Sequence, residues 1–153
     1  MRKLILFSFL FIFLLFSIGC KKDSSTAGAA SFSAKVEGIA WTATQIAGVA
    51  SSNTASTSIT ATNTSGEQIV IAFYTHNTGT ITFKENDPYS FGSFASAVGS
   101  YTTYNSSSPD GTIIITLFDK SQKIISGSFS FVGESSSGGK IHITDGKFDN
   151  VPY

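Results

Sequence analysis

Few side chains in this sequence are of a type that does chemistry. There are two histidines, His76 and His142, and one cysteine, Cys20, beside ten acidic residues with no block of like charge. A catalytic centre needs a nucleophile, a base and an orienting group within mutual reach. His76 stands in the turn signal His76-Asn77-Thr78-Gly79, and His142 alternates outward between Ile141 and Ile143. Both read as solvated surface residues. Serines are plentiful, but they alternate with apolar residues as solvent-facing strand positions, and no Gly-x-Ser-x-Gly elbow occurs. Zinc asks for clustered His, Cys or carboxylate ligands, and calcium for a loop of oxygen donors. Asp145, Asp149 and Asn150 are close in sequence without matching such a loop, and Asp145-Gly146 reads as turn chemistry. The reading is therefore of no enzyme, no metal and no cofactor.

Cys20 is the exception. Arg2 and Lys3 precede an apolar run, Leu4 to Ile18, which ends in Ser17-Ile18-Gly19-Cys20. This is the layout of a secretory signal: positive residues, a short apolar stretch, and a small residue at the cut. A spanning helix needs about 20 apolar residues, and this run is shorter, although an uncleaved signal anchor is the competing reading. A lone cysteine also rules out an internal disulfide, which an exported compartment would permit.

Gly19-Cys20 resembles the lipobox of bacterial lipoproteins, with Ser17 where that motif usually has Leu. The resemblance implies that the Cys20 thiol receives a diacylglyceryl group and becomes the mature N-terminus, since two or more acyl chains hold a protein stably on a membrane. Residues 1–19 are then the signal peptide, and 20–31 the lipidated cysteine with a small, polar tether. A flexible tether of this length spans roughly 18 Å, at about 5–6 Å times the square root of residue number. Lys21 and Lys22 are placed to touch anionic head groups. The expected address is the outer membrane, on a face the sequence leaves open.

Residues 32–153 read as a single all-β domain. Leu117 is the only leucine after the leader, whereas Ser, Thr, Gly and Ile abound, and β-branched and aromatic residues favour strands. The 10 basic and 10 acidic residues balance, and loss of Arg2 and Lys3 tips the mature chain slightly acidic. Nucleic acid, which needs a basic face, is not an expected partner.

Alternation predicts hairpins over Phe32–Glu37 with Ile39–Thr44 and over Gln45–Ser51 with Ser56–Thr62, and Trp41 as a core residue. Glu67–Tyr74 is apolar on both faces, as in a central or doubly covered strand. Thr80–Lys84 runs back with Ile81 and Phe83 inward. Glu85–Ser108 is irregular, with a short strand at Gly99–Tyr104. Thr112–Phe118 places Ile113, Ile115 and Leu117 on one face. Ile124–Val132 turns Ile125, Phe129 and Phe131 in and Ser126, Ser128 and Ser130 out. Lys140–Asp145 follows, Asp145-Gly146 breaks the run, and Lys147–Val151 closes the chain. About nine or ten short antiparallel strands suit a two-sheet β-sandwich or, second, a flattened lipocalin-like β-barrel.

The set Cys20-Lys21-Lys22-Asp23, Phe32 to Trp41, Ile125 to Phe131 and Ile143 to Tyr153 resembles a family of small Bacteroidota lipoproteins. That family has no assigned function, so the resemblance implies the envelope address and carries over no site. The stretch that invites a ligand is Tyr89–Tyr104. Its aromatics, with Tyr89, Tyr101 and Tyr104 as binding residues, would stack on a sugar ring or an apolar ligand at the mouth of a β-fold. Alternatively Phe91 and Phe94 plug one end of the core. Two functions are thus expected: a lipid-anchored envelope binding module with an unknown ligand such as a glycan, or a structural or accessory lipoprotein contacting an envelope protein.

Overall fold

The computed structural model describes residues 28–51, 54–84, 87, 89–103 and 110–153. Cys20, the leader, most of the tether and Tyr104 lie outside these residues. The described residues form eleven strands and no helix: β1 (Ser31–Val36), β2 (Ile39–Thr42), β3 (Gln45–Ala50), β4 (Ser56–Thr62), β5 (Gln68–Tyr74), β6 (Gly79–Thr82), β7 (Phe91–Ser96), β8 (Gly99–Thr102), β9 (Asp110–Asp119), β10 (Ile124–Glu134) and β11 (Lys140–Pro152). All pairings are antiparallel, in the order β2-β1-β11-β10-β8-β7-β5-β4-β3, with β9 pairing β10 and β6 pairing β9. The sheet forks at β10, one edge of which carries β9 from Ile124 to Val132 and then β8 at Glu134.

The sheet is one strongly curled half-barrel. Its far end returns to its middle, where β3 packs on the end of β11. Gly48 permits this approach, because a Cβ there would fall inside contact distance of the Pro152 carbonyl and Val151. The form shares features of both expected architectures. The path is continuous, as in a barrel, and two walls face each other across a packed core, as in a sandwich.

Period-two alternation builds that core. Phe32, Trp41, Ile59, Ile69, Ile71, Phe73, Ile113, Ile125, Phe129, Phe131, Ile143 and Phe148 all turn inward. Phe129 is the hub, with ring centroids 5.0 Å from Phe32 and 6.4 Å from Phe148. Each such side chain contributes about 1.5–3 kcal/mol on leaving water. Trp41 is in the core as expected, and its indole N–H donates to Glu67 at 3.1 Å. The β1–β2 hairpin closes with Glu37 and Gly38 at φ 50° and 78°, the two positive-φ residues that a tight two-residue turn uses.

The alternation breaks at bulges, and there the sequence reading is corrected. Thr116 is an extra residue against β10, because Ser126 pairs Leu117 while Gly127 pairs Ile115. One added residue reverses the faces beyond it. Leu117 therefore points out, 37% exposed, and Phe118 packs on the core. Asp145-Gly146 does not end a strand. It is a bulge within β11 opposite Ala34 of β1, as Asp149-Asn150 is opposite Ser126 of β10, and Asp145 and Asn150 take φ 51° and 48°. Asp and Asn tolerate that left-handed conformation better than most residues. Ser126, expected on the solvent face, is buried beneath the second bulge. Its hydroxyl donates to Asp149 at 2.7 Å and accepts the Asn150 N–H at 2.9 Å.

Candidate functional site

Strand register places the β3–β4 turn, the β5–β6 loop, the β9–β10 turn, Tyr153 and the entry to β1 at one end of the sheet, the lower end. Several concave features lie there, among them one on the flank and one at the mouth.

The flank feature follows from register. On the outward face Val49 pairs Ser58, Ser58 pairs Ala72, and Ala72 pairs Phe91, one row across β3, β4, β5 and β7. In the next row down Ser56 pairs Tyr74, and the Tyr74 ring meets Tyr89 with centroids 5.3 Å apart and planes tilted by 53°. Tyr74 is 51% and Tyr89 61% exposed. The backbone N–H of Tyr89 is held by the Asp87 carboxylate at 2.9 Å. Beside the rings lies a cleft of about 320 Å³, walled by Val49, Ser51, Ser56, Ser58, Ala72 and Tyr89. Thr57 adds to its wall, and its buried Oγ1 has no hydrogen-bond partner among the described residues. This flank is thus apolar rings and hydroxyls side by side, with no charged side chain in the wall.

The sequence-derived ligand residues do not converge. Tyr89 lies on the flank. Tyr101 pairs Phe94 in the β7–β8 hairpin and is half-buried, its ring 6.4 Å from that of Phe94. Tyr89 precedes the start of β7 by two residues, and Phe94 lies three residues into it, roughly 10 Å along the strand from Phe91 at about 3.3 Å each. Tyr104 lies outside the described residues. Tyr74, expected on the second apolar face of a central or doubly covered strand, is instead exposed and is the neighbour of Tyr89. Phe91 and Phe94 also part company: Phe94 is in the core, while Phe91 is half-buried on the outer flank.

The mouth is walled by Ala50, His76, Phe118, Lys120, Lys123 and Tyr153 around about 260 Å³. The rings of His76 and Phe118 lie 5.0 Å apart, and those of Phe118 and Tyr153 4.8 Å. His76 is not the solvated residue expected from sequence. It is half-buried, and its Nε2 is sealed from solvent without a partner among the described residues. The Tyr153 hydroxyl donates to the Asp119 carbonyl at 3.2 Å. Burial, and then the charge of Asp119, raise the Tyr153 phenol above its ordinary value. The Asp119 carboxylate lies below the usual range because it accepts hydrogen bonds from the Ser121 hydroxyl and the Gln122 and Ser121 amides.

His142 is exposed, as expected, and its Nδ1 lies 3.1 Å from Glu37. Hydrogen bonding from the His142 backbone and then its ring lowers the Glu37 pKa. This pair joins β11 to the β1–β2 turn. No group of three metal-ligating side chains gathers among the described residues.

The fold is a small antiparallel β-domain with shallow concavities at one end. The chain belongs to the family described as Domain of unknown function (DUF6252), whose model matches residues 28–152. No curated protein and no solved structure matches the chain.

Proposed function

We propose that this protein is an envelope lipoprotein, held on the membrane by an acylated Cys20, whose β-domain binds a neutral saccharide on the lower flank. The observation that carries the ligand reading is the exposed Tyr74–Tyr89 pair bordering a serine-lined cleft. An aromatic face stacks on the C–H face of a sugar ring, and hydroxyls around it meet the sugar hydroxyls. The wall has no charged side chain, which favours a neutral ring over an ionic ligand. The signal-like leader and Gly19-Cys20 support the anchor.

The test is a thermal-shift panel of the full chain in detergent against neutral oligosaccharides. A ligand at about 100 times its Kd stabilises the fold by about 2.7 kcal/mol. The expected hit is lost in Tyr74→Ala and Tyr89→Ala, whose unliganded melting stays near the parent. A hit that survives both changes would place the ligand elsewhere, and a blank panel would remove the saccharide.

A further inference from the structure

The mouth at the lower end has a composition unlike that of the flank, and the chain enters the domain beside it. Ser31, the first residue of β1, pairs Asp149, four residues before Tyr153. Gly28 lies against Asn150, close enough that a Cβ on it would be 3.0 Å from the Asn150 side-chain nitrogen. The polypeptide that leads back to Cys20 therefore leaves from the end where the mouth opens. Cys20 precedes Gly28 by eight residues, at most about 29 Å of chain at about 3.6 Å each, so any surface that Cys20 is attached to lies near this end of the domain.

At this mouth Lys120 and Lys123 have no counter-ion among the described residues. The ion pairs among the described residues, Lys35 with Asp145 and His142 with Glu37, involve neither of them. The nearest acidic neighbour in sequence, Asp119, is turned onto its own loop by the Ser121 and Gln122 donors. The Lys123 ammonium is 5.6 Å from the centre of the Tyr153 ring, so it stands over the aromatic wall. The rest of the wall holds the rings of Phe118 and Tyr153 and the His76 Nε2, which has no partner among the described residues. Two ammonium groups at the rim of a ring-lined recess suit a compact anion on an apolar stem. Lysine meets phosphate as a point charge, and aromatic rings with a polar tip are at home at the membrane–water boundary.

We infer that this mouth receives the phosphoryl headgroup of an anionic lipid in the membrane that carries the anchor, with Lys120 and Lys123 on the phosphate and Phe118 and Tyr153 beside the glycerol. The inference rests on the anchor half of the proposed function and is independent of the saccharide. The mouth and the saccharide cleft share no lining residue.

The full chain, purified from membranes, is placed on vesicles of phosphatidylcholine alone or with phosphatidylglycerol. Flotation is scored first, and amide hydrogen exchange is then followed in peptides covering 118–124 and the C-terminus. With headgroup at about ten times its dissociation constant, exchange through local opening slows about elevenfold, the factor 1 + [L]/Kd. That slowing is expected on phosphatidylglycerol only, lost in the Lys120→Gln, Lys123→Gln double variant and kept in the Lys120→Arg, Lys123→Arg double variant. A parallel arm adds glycerol 1-phosphate to the detergent-solubilised chain. Slowing by glycerol 1-phosphate but not by phosphatidylglycerol vesicles would assign the mouth to a soluble phosphate ester and overturn the lipid source. Chain that floats but exchanges equally on both vesicles overturns the headgroup site alone. Chain that does not float overturns the anchor, and the inference with it.

Discussion

Replacing Ser126 by alanine tests the joint that sets the course of the last residues of the chain. Ser126 is 6% exposed beneath the Asp149-Asn150 bulge, donating to Asp149 at 2.7 Å and accepting the Asn150 N–H at 2.9 Å. Asp149 is exposed, so water replaces its lost bond. The part-buried Asn150 N–H loses its acceptor, and an amide stranded in this way costs about 1–3 kcal/mol. In a domain of this size that lowers Tm by roughly 4–12 °C. Urea unfolding should show a lower midpoint at unchanged m, the mark of lost stability with an unaltered fold. Hydrogen exchange should rise first at Asn150 and Val151. Asn150→Gly is the control. Glycine suits φ 48° and keeps the N–H, so it should stay within about 1 kcal/mol of the parent. Ser126→Ala within about 0.5 kcal/mol of the parent, the range of ordinary surface changes, would refute the claim that this hydroxyl closes the bulge.

Three further outcomes follow from the same geometry. Leu117→Ser should change stability by no more than about 0.5 kcal/mol, as surface changes do, while Phe118→Ala should cost clearly more in the same denaturation assay; the reverse order would erase the Thr116 bulge. Tyr153 has a raised pKa, so the folded state holds that proton more tightly than the unfolded chain does. Its contribution is fully present below the ordinary value of 10.0 and is lost as pH rises through the folded value. Alkaline melts should show this loss in the parent and not in Tyr153→Phe. Cys20→Ala should abolish acylation, read as the missing lipid mass on the chain, and release the domain from membranes on washing.

Much of the fold was legible because β-structure writes a period of two. Spacing alone places Ile125, Phe129, Phe131, Ile141 and Ile143 inward, Trp41 is expected in the core, and all are buried. The residues set on the wrong strand face share one cause. A bulge adds a residue without any residue type that compels it, so Thr116 reversed Leu117 and Phe118, and Asp145-Gly146 resembled a strand end. Strand β7 was missed because its inward positions are Gly92 and Phe94 rather than two large apolar residues. Glycine is needed there, since a Cβ at position 92 would lie 2.5 Å from the Phe131 ring. That demand belongs to a strand nearly forty residues away.

The candidate site was legible only in part. Tyr89 was singled out by its aromatic neighbourhood, but its partner Tyr74 comes from another strand and is brought close by register. Tyr101 shares the segment with Tyr89 and not the surface. The mouth was missed altogether. Its residues come from β3, the β5–β6 loop, the end of β9, the β9–β10 turn and the C-terminal end, which no local pattern joins. A lone histidine with an unpaired nitrogen becomes visible only when its surroundings are known.

The most direct test of the saccharide reading is a titration of the full chain, carrying isotope-labelled tyrosine, with neutral oligosaccharides while the tyrosine ring resonances are followed. The account predicts saturable shifts of Tyr74 and Tyr89, with Tyr101 unmoved, and an affinity at least about tenfold weaker in Tyr89→Ala, equivalent to about 1.4 kcal/mol. Saturable binding that leaves the Tyr74 and Tyr89 rings unmoved, or no binding of any neutral saccharide by the folded protein, would contradict it.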